Sequence, residues 1–86
     1  MKKWFVYIIQ CDDGSFYTGV TENIKRRFQE HREGKGGKYT FLHKPLKILF
    51  SEDFSSLETA LRRERQLKGW SRIKKIKLIK SQSQPM

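Results

Sequence analysis

One acidic side chain lies where helical periodicity predicts an apolar face. In the segment that begins near Leu57, the apolar residues of one helix face are Leu57, Ala60, Leu61 and Leu67, and Glu64 falls in the middle of them. Burial of an unpaired carboxylate costs on the order of several kcal/mol, so Glu64 needs a cation, a metal ion or a proton. The alternative is a glutamate at the edge of this face, paired with a lysine or an arginine.

An earlier predicted helix places two more polar groups on its inward face. Arg27 and His31 lie on the apolar side of this helix, whereas Arg26 points away. Arg27 and Glu64 could form a buried salt bridge, or the two helices could flank a reactive site. His31 has the same two interpretations, as a member of that site or as a hydrogen-bonded structural residue.

Two tyrosines add hydroxyl groups from a predicted β-hairpin. Residues 3–10 and 16–20 are rich in β-branched and aromatic side chains, and an Asp-Gly turn signal lies between them. Because side chains alternate along a strand, Tyr7 and Tyr17 share a sheet face only if paired residue numbers sum to an even value, as when Tyr7 pairs with Gly19. This register requires an odd number of residues in the connection, or a bulge.

The elements after the hairpin are predicted from caps, periodicity and breakers. Thr21 can cap a helix over residues 23–33, and residues 46–50 read as a third strand. Between them, the glycine-rich residues 34–40 are predicted to form a basic, mobile surface loop with no regular structure.

A capping box at residues 55–58 opens a helix that ends near Gly69, and isoleucines at every third position then predict a short amphipathic helix. We therefore expect an α/β (α+β) sandwich in the order β-β-α-β-α-α, in which helices flank a small, mostly antiparallel sheet of three strands. This domain occupies residues 1–80, and residues 81–86 are expected to be a disordered tail.

The positive charge of the chain is concentrated in its last third. The 86 residues carry a formal net charge of +10, and residues 62–80 hold nine basic side chains against Glu64, a net charge of +8. This concentration predicts a nucleic-acid partner, and the alternative is a solvated basic face with no dedicated ligand. The candidate nucleic-acid contacts are Lys35, Lys38, Arg62, Arg63, Arg65, Lys68, Arg72, Lys74, Lys75 and Lys77.

Composition excludes several other classes of partner. No apolar run reaches the roughly 18 residues of a membrane helix, and the one cysteine, Cys11, cannot form an internal disulfide. Two histidines and one cysteine also make a Cys/His zinc set implausible. We expect a monomeric cytoplasmic protein with no membrane partner. An alternative interpretation of the basic residues 72–80 is an amphipathic helix that lies on anionic membrane surfaces.

Together these residues resemble a known family. The sequence Val6-Tyr7-Ile8 is followed by Tyr17-Thr18-Gly19, by Arg27 and His31 on the next helix, and by Glu64 on a later one. This order and spacing resemble the GIY-YIG nuclease superfamily, and most closely its small stand-alone bacterial members of YhbQ type. The likeness extends from about Trp4 to Lys80.

The resemblance implies a divalent-metal-dependent endonuclease that hydrolyses phosphodiester bonds. We expect its substrate to be DNA in preference to RNA, and nicked, branched or single-stranded structure rather than a sequence to be recognised. It implies catalytic roles for Tyr7, Tyr17, Arg27, His31 and Glu64, with Glu64 as the ligand of Mg²⁺ or Mn²⁺ and a tyrosine, preferably Tyr7, as the general base.

Two departures from the superfamily pattern support a different function. Val20 stands where some nuclease members carry a lysine, and the asparagine of larger members has no counterpart that we can locate. The alternative function is therefore a non-catalytic nucleic-acid-binding module that retains the GIY-YIG fold.

Overall fold

The computed structural model describes residues 2–83. Its elements are β1 Trp4–Cys11, β2 Phe16–Thr21, α1 Ile24–Arg32, α2 Lys38–Leu42, β3 Pro45–Phe54, α3 Leu57–Lys68 and α4 Arg72–Ser83. The strands form one antiparallel sheet in the spatial order β2-β1-β3, so β1 is central and β2 is an edge strand. The expected α+β class and order of elements are confirmed, and the short helix α2 is an addition.

The β1–β2 hairpin has the register that places both tyrosines on one face. Tyr7 pairs with Gly19, and Tyr17 pairs with Ile9. The turn closes through hydrogen bonds of the Cys11 backbone, which donates to the Ser15 carbonyl at 2.8 Å and accepts from the Gly14 N–H at 2.9 Å. Three residues thus lie between positions 11 and 15, and the last of them, Gly14, has a φ of 86° that favours glycine. The odd connection that a shared face requires is therefore present.

Strand β1 belongs to two apolar clusters, one on each face of the sheet. The cluster on the α3 side consists of Val6, Ile8, Phe50, Ala60 and Leu67. The cluster on the α1 side consists of Tyr7, Ile9 and Cys11, bordered by Tyr17, Phe28 and Ile48. Burial on both faces agrees with the continuous β-branched and aromatic sequence of β1.

The helix caps differ slightly from those predicted. Asn23, not Thr21, is the N-cap of α1, because its side chain accepts a hydrogen bond from the Arg26 N–H. Thr21 instead accepts a hydrogen bond from the Asn23 N–H at 3.1 Å. Helix α3 begins one residue later than the capping box suggests, since Ser56 accepts from the Thr59 N–H.

The prediction of a mobile loop at residues 34–40 is wrong. Gly36 and Thr40 are buried, and helix α2 begins at Lys38. Two hydrogen bonds attach the segment to α1. The Lys35 N–H donates to the Glu30 carbonyl, and the Arg27 guanidinium donates to the Gly36 carbonyl.

Helix α3 is rotated relative to the predicted apolar face. Ala60 and Leu67 are fully buried, whereas Leu57 and Leu61 are each 40% exposed. The small side chain of Ala60 allows close approach to the sheet on that side. Glu64 consequently lies at the edge of the buried face rather than in its middle.

Helix α4 is not amphipathic in the way the isoleucine repeat predicts. Ile73 is 69% exposed, whereas Leu78 and Ile79 pack against the α3-side cluster. A three-residue repeat drifts by about 60° per repeat around a helix of 3.6 residues per turn, so Ile73 and Ile79 point about 120° apart. No helix within residues 2–83 has the length and apolar character needed to cross a membrane.

Helix α4 extends to Ser83, so residues 81–83, expected in the tail, are helical. The Gln82 amide occupies the outer edge of β3, where it donates to the Ser51 carbonyl and accepts from the Ser51 N–H. The rest of the expected disordered tail, residues 84–86, lies outside the described residues.

Candidate active site

A chain of three buried polar side chains connects β1, α1 and α2. The Tyr7 hydroxyl lies 2.9 Å from His31 Nε2, and His31 Nδ1 lies 2.6 Å from the Thr40 hydroxyl. The exposed fractions of these residues are 2%, 0% and 2%. His31 is thus hydrogen-bonded at both ring nitrogens, as its structural interpretation requires, and it contacts the first tyrosine, as a role in the site would require.

Two glycines provide the space for this chain. A Cβ atom on Gly19 would lie 2.5 Å from the Tyr7 hydroxyl, and a Cβ atom on Gly36 would overlap the His31 ring at Nδ1. Gly19 lies opposite Tyr7 on the edge strand β2, so the tyrosine ring extends across that strand towards the edge of the sheet.

Further rings extend the site towards its rim. The Tyr17 ring is 6.4 Å from that of Tyr7 and 5.1 Å from that of His31, between centroids. On the other side of Tyr17 lie Tyr39, at 5.7 Å, and His43, which stacks on Tyr39 at 4.3 Å. Tyr17 thus stands between the buried chain and the more exposed aromatic side chains of α2.

Burial makes both reactive groups of the chain neutral near pH 7. Desolvation raises the pKa of the Tyr7 phenol to about 12, despite the hydrogen bond and positive charge of Arg27, which lower it; Glu64 adds a further small rise. Desolvation lowers the pKa of the His31 imidazole to about 4, and the charge of Arg27 contributes in the same direction, opposed by Glu30.

Arg27 borders Tyr7 but does not pair with Glu64. Its guanidinium donates to Glu30 at 3.0 Å and to the Gly36 carbonyl at 3.0 Å. The Arg27–Glu64 salt bridge considered from the sequence is therefore absent, because Glu30 is three residues away on the same helix face. Arg26 is exposed, as predicted.

Glu64 approaches the site from the other side of the sheet. Its side chain is 19% exposed, and its carboxylate lies 3.2 Å from Nζ of Lys68, one turn further along α3. Glu64 is thus an edge glutamate with a lysine partner. Because α3 and Tyr7 lie on opposite faces of the sheet, the two can meet only around edge strand β2.

The donor set of the site fits a magnesium-type ion bound mainly through water and phosphate. Residues 2–83 contain no cluster of three His, Cys, Asp or Glu side chains that could hold a metal ion. Glu64 could supply a single carboxylate, and Mg²⁺ is commonly held by one or two carboxylates together with substrate phosphates and water. Zinc, which takes three or four protein ligands, does not fit.

The predicted nucleic-acid contacts differ in their freedom to bind. Arg63 is the most constrained, because it donates to Glu52 at 2.9 Å and lies over the Trp70 ring. Arg62 pairs with Glu58, Lys74 lies over Trp70, and Lys35 is 3.8 Å from Glu33.

Most of the predicted nucleic-acid contacts are exposed, and Lys75 is half-buried. The exposed members of the set are Lys35, Lys38, Arg62, Arg65, Lys68, Arg72, Lys74 and Lys77. The Arg72 guanidinium covers the Phe16 ring at 4.2 Å.

Sequence reasoning missed three residues of this site: Gly19 and Gly36 as spacers, and Thr40 as a hydrogen-bonding partner. A glycine inside a strand indicates close approach of another group, so Gly19 carried a usable signal. Gly36 and Thr40 lie in the segment interpreted as a loop, and no periodicity there points to a histidine nine residues earlier.

The spacer role of Gly36 predicts a large and local effect of substitution. We expect Gly36→Ala to lower the free energy of unfolding by about 1 to 3 kcal/mol or more, because the new methyl group displaces the His31 ring. Gly69→Ala is the matched control, since a Cβ atom there meets nothing closer than 3.5 Å. Urea unfolding of the two variants measures the difference, and equal stabilities would contradict the packing described above.

The pKa of His31 predicts that the fold loses stability in acid. The unfolded chain protonates this imidazole near its ordinary pKa of 6.5, whereas the folded protein does so only near pH 4. The unfolded state therefore binds more protons between these values, and the free energy of unfolding falls by up to about 3 kcal/mol as pH decreases from 6.5 to 4. Titration of the His31 ring by NMR checks the cause, and a midpoint near 6.5 would refute it.

Comparison with known proteins identifies the family of this chain. The family model described as the GIY-YIG catalytic domain matches residues 3–77. The UPF0213 proteins SH2523 of Staphylococcus haemolyticus and SSP2268 of Staphylococcus saprophyticus are 46% and 43% identical over 79 residues, which cover 92% of this chain and 96% of each relative.

Solved structures lead to the same group. The solution NMR structure of the UPF0213 protein BH0048 from Bacillus halodurans is 41% identical, with a TM-score of 0.62 over 96% of this chain and 88% of that chain. That of the protein EF2693 from E. faecalis is 33% identical, with a TM-score of 0.64 over 94% and 86%. Sequence and fold agree, and this chain belongs to the GIY-YIG nuclease superfamily, among its small bacterial UPF0213 proteins.

Proposed function

We propose that this protein is a divalent-metal-dependent endonuclease that hydrolyses phosphodiester bonds in DNA. The observation that carries the proposal is the buried hydrogen bond between Tyr7 and His31, with the charges of Arg27 and Glu64 acting on the same phenol. A proton acceptor, a cation and a carboxylate are the groups that phosphodiester hydrolysis needs.

Tyr7 acts as the proton acceptor for the attacking water. With a pKa of about 12, only about one phenol in 10⁵ is ionised at pH 7, so a preformed phenolate is a poor base. The hydrogen bond to Nε2 offers another route, in which the negative charge of the bound phosphate must stabilise the imidazolium, because desolvation and Arg27 hold the pKa of His31 at about 4. As Tyr7 accepts a proton from water, its own proton passes to His31, and no free phenolate forms.

Arg27 stabilises the negative charge that develops on the phosphate. A guanidinium has five N–H donors, and Glu30 and the Gly36 carbonyl each take one of those of Arg27. The side chain is 32% exposed and firmly oriented, so the remaining donors can reach a phosphate without reorganisation.

Glu64 would hold Mg²⁺ or Mn²⁺, which when bound neutralises phosphate charge and lowers the pKa of coordinated water. Lys68 must leave the carboxylate to make this possible. Its side chain is 54% exposed, so it can turn to solvent or to a neighbouring phosphate at little cost.

A binding module without catalysis is the second candidate function, favoured by the lysine that neutralises Glu64 and by Val20. Such a module would bind DNA with an affinity that falls with salt and would leave the strand intact. The experiment below separates the two functions, because it measures binding and cleavage on the same substrates.

We expect Glu64→Gln to reduce cleavage of plasmid and of nicked, branched and single-stranded oligonucleotides at least about 100-fold in Mg²⁺ or Mn²⁺. Affinity for DNA should change by no more than about twofold, because one neutralised carboxylate adds little to a phosphate-dominated interface. Glu58→Gln, on the exposed side of the same helix, is the matched control and should cleave like wild type. Equal cleavage by wild type and Glu64→Gln, at background, would leave only the binding module.

A further inference from the structure

A row of three aromatic rings leads from the buried pair of Tyr7 and His31 to the surface of the protein. Tyr17 lies 5.1 Å from the His31 ring, between centroids, and Tyr39 lies 5.7 Å from Tyr17. His43 ends the row, stacked on Tyr39 at 4.3 Å with 19° between the ring planes. We call Tyr17, Tyr39 and His43 the aromatic row. Its last two members reach solvent, since Tyr39 is 37% exposed and the side chain of His43 is 34% exposed.

Two interactions fix the His43 ring at the outer end of the aromatic row. Its backbone N–H donates to the Tyr39 carbonyl at 2.8 Å, which closes the last turn of α2 and brings two rings four residues apart together. Its Nδ1 lies 2.5 Å from one oxygen of the Asp13 carboxylate. The other oxygen accepts hydrogen bonds from the Ser15 N–H and the Ser15 hydroxyl, at 3.0 and 2.6 Å. The ring is therefore oriented before any ligand binds.

The faces of the His43 ring are not used by its hydrogen bond. A hydrogen bond to Nδ1 lies in the plane of the imidazole, so it leaves both faces of the ring unoccupied. Tyr39 covers one face, and no second aromatic ring and no cation lies over the imidazole in the part of the chain that the structure describes. A fixed, partly exposed ring at the end of a stack is a surface to which another flat group can be added.

The charges beside the aromatic row balance, unlike those of the basic helices. Lys38 begins α2 and Lys44 follows that helix by two residues, and both are exposed. Asp12 and Asp13 are exposed in the adjoining turn, where the Asp12 N–H donates to the Lys44 carbonyl at 2.7 Å. Residues 62–80, in contrast, carry a net charge of +8. Flat rings among balanced charges suit the uncharged base of a nucleotide better than its phosphate.

We propose that the face of the His43 ring opposite Tyr39 is a stacking site for one unpaired base of a DNA strand. A base inside a duplex has both faces covered by its neighbours, so only an unpaired base can offer a whole face to the protein. Tyr17 connects the aromatic row to the Tyr7 ring, at 6.4 Å, so the base belongs to a nucleotide near the phosphate that Tyr7 and Arg27 face. The inference rests on the proposed function and adds to it a residue that selects unpaired substrates.

Binding of short oligonucleotides in EDTA tests the stacking site in the absence of cleavage. We expect His43→Leu to weaken binding of a single-stranded oligonucleotide by about 5- to 150-fold, the effect of losing one stacked base. Its affinity for a duplex of the same sequence, closed by loops at both ends, should stay within about twofold of wild type, because phosphate contacts dominate there. His43→Phe keeps a flat ring and removes the hydrogen bond to Asp13, and it should bind the single strand within about twofold of wild type.

Phe41→Leu is the matched control, because Phe41 belongs to the same short helix and is 66% exposed. Two residues turn a helix by about 200°, so Phe41 points away from the side of α2 that carries Tyr39. This variant removes a more exposed ring than that of His43, and it should bind the single strand and the closed duplex like wild type. Tyr39→Leu, which removes the ring that supports His43, should weaken single-strand binding at least about fivefold and provides a second test if His43→Leu does not fold.

Several results would overturn the inference. These are equal single-strand affinities of wild type and His43→Leu, an equal loss in Phe41→Leu, and an equal loss on the closed duplex. A loss in His43→Phe as large as that in His43→Leu would assign the effect to the hydrogen bond with Asp13 and also overturn it, as would a wild-type chain that binds no single strand.

Cleavage in Mg²⁺, measured separately, distinguishes this inference from the proposed function. A wild-type chain that binds the single strand through His43 and cleaves nothing refutes the nuclease and retains the stacking site. A wild-type chain that cleaves DNA, with single-strand affinity unchanged in His43→Leu, refutes the stacking site alone.

Discussion

The buried hydrogen bond between Tyr7 and His31 is the constraint on which the rest of this small protein depends. A phenol and an imidazole can be removed from water only if each polar atom finds a partner, and their neighbours are arranged accordingly. Helix α1 must lie against the sheet, α2 must bring Thr40 to the second ring nitrogen, and position 36 must be a glycine. The segment between α1 and β3 is thus ordered because the histidine requires it.

The edge position of β2 explains how two faces of a sheet can serve one site. Tyr7 comes from the face covered by α1, whereas Glu64 belongs to α3 on the opposite face. They can act together only around the side of the sheet, where Gly19 leaves space for the tyrosine ring. Arg27 supplies the positive charge on the α1 side, and Lys68 balances Glu64 on the other.

Periodicity and turn chemistry in the sequence predict the fold class, the hairpin and the inward face of α1, because these features depend on local patterns. The register of the hairpin was a condition for a shared tyrosine face rather than a consequence of the turn residues. The rotation of α3 was not predictable in this way, since it depends on how closely Ala60 lets the helix approach the sheet. The ion pairing was not predictable from local patterns either. The sequence allowed a salt bridge between Arg27 and Glu64 across the core, but each of the two pairs with a residue three or four positions away on its own helix, at a lower entropic cost. Thr40 could not be identified at all, because its partner is fixed by tertiary structure alone.

A crystal structure of the Glu64→Gln protein with DNA and Mg²⁺ tests the central claim most directly, namely that the Tyr7–His31 pair faces the scissile phosphate. The account predicts a backbone phosphate oxygen within about 3 Å of the Arg27 guanidinium, and a water between that phosphate and the Tyr7 hydroxyl. DNA bound only along the lysines of α4, with no phosphate near Tyr7 and Arg27, would contradict it.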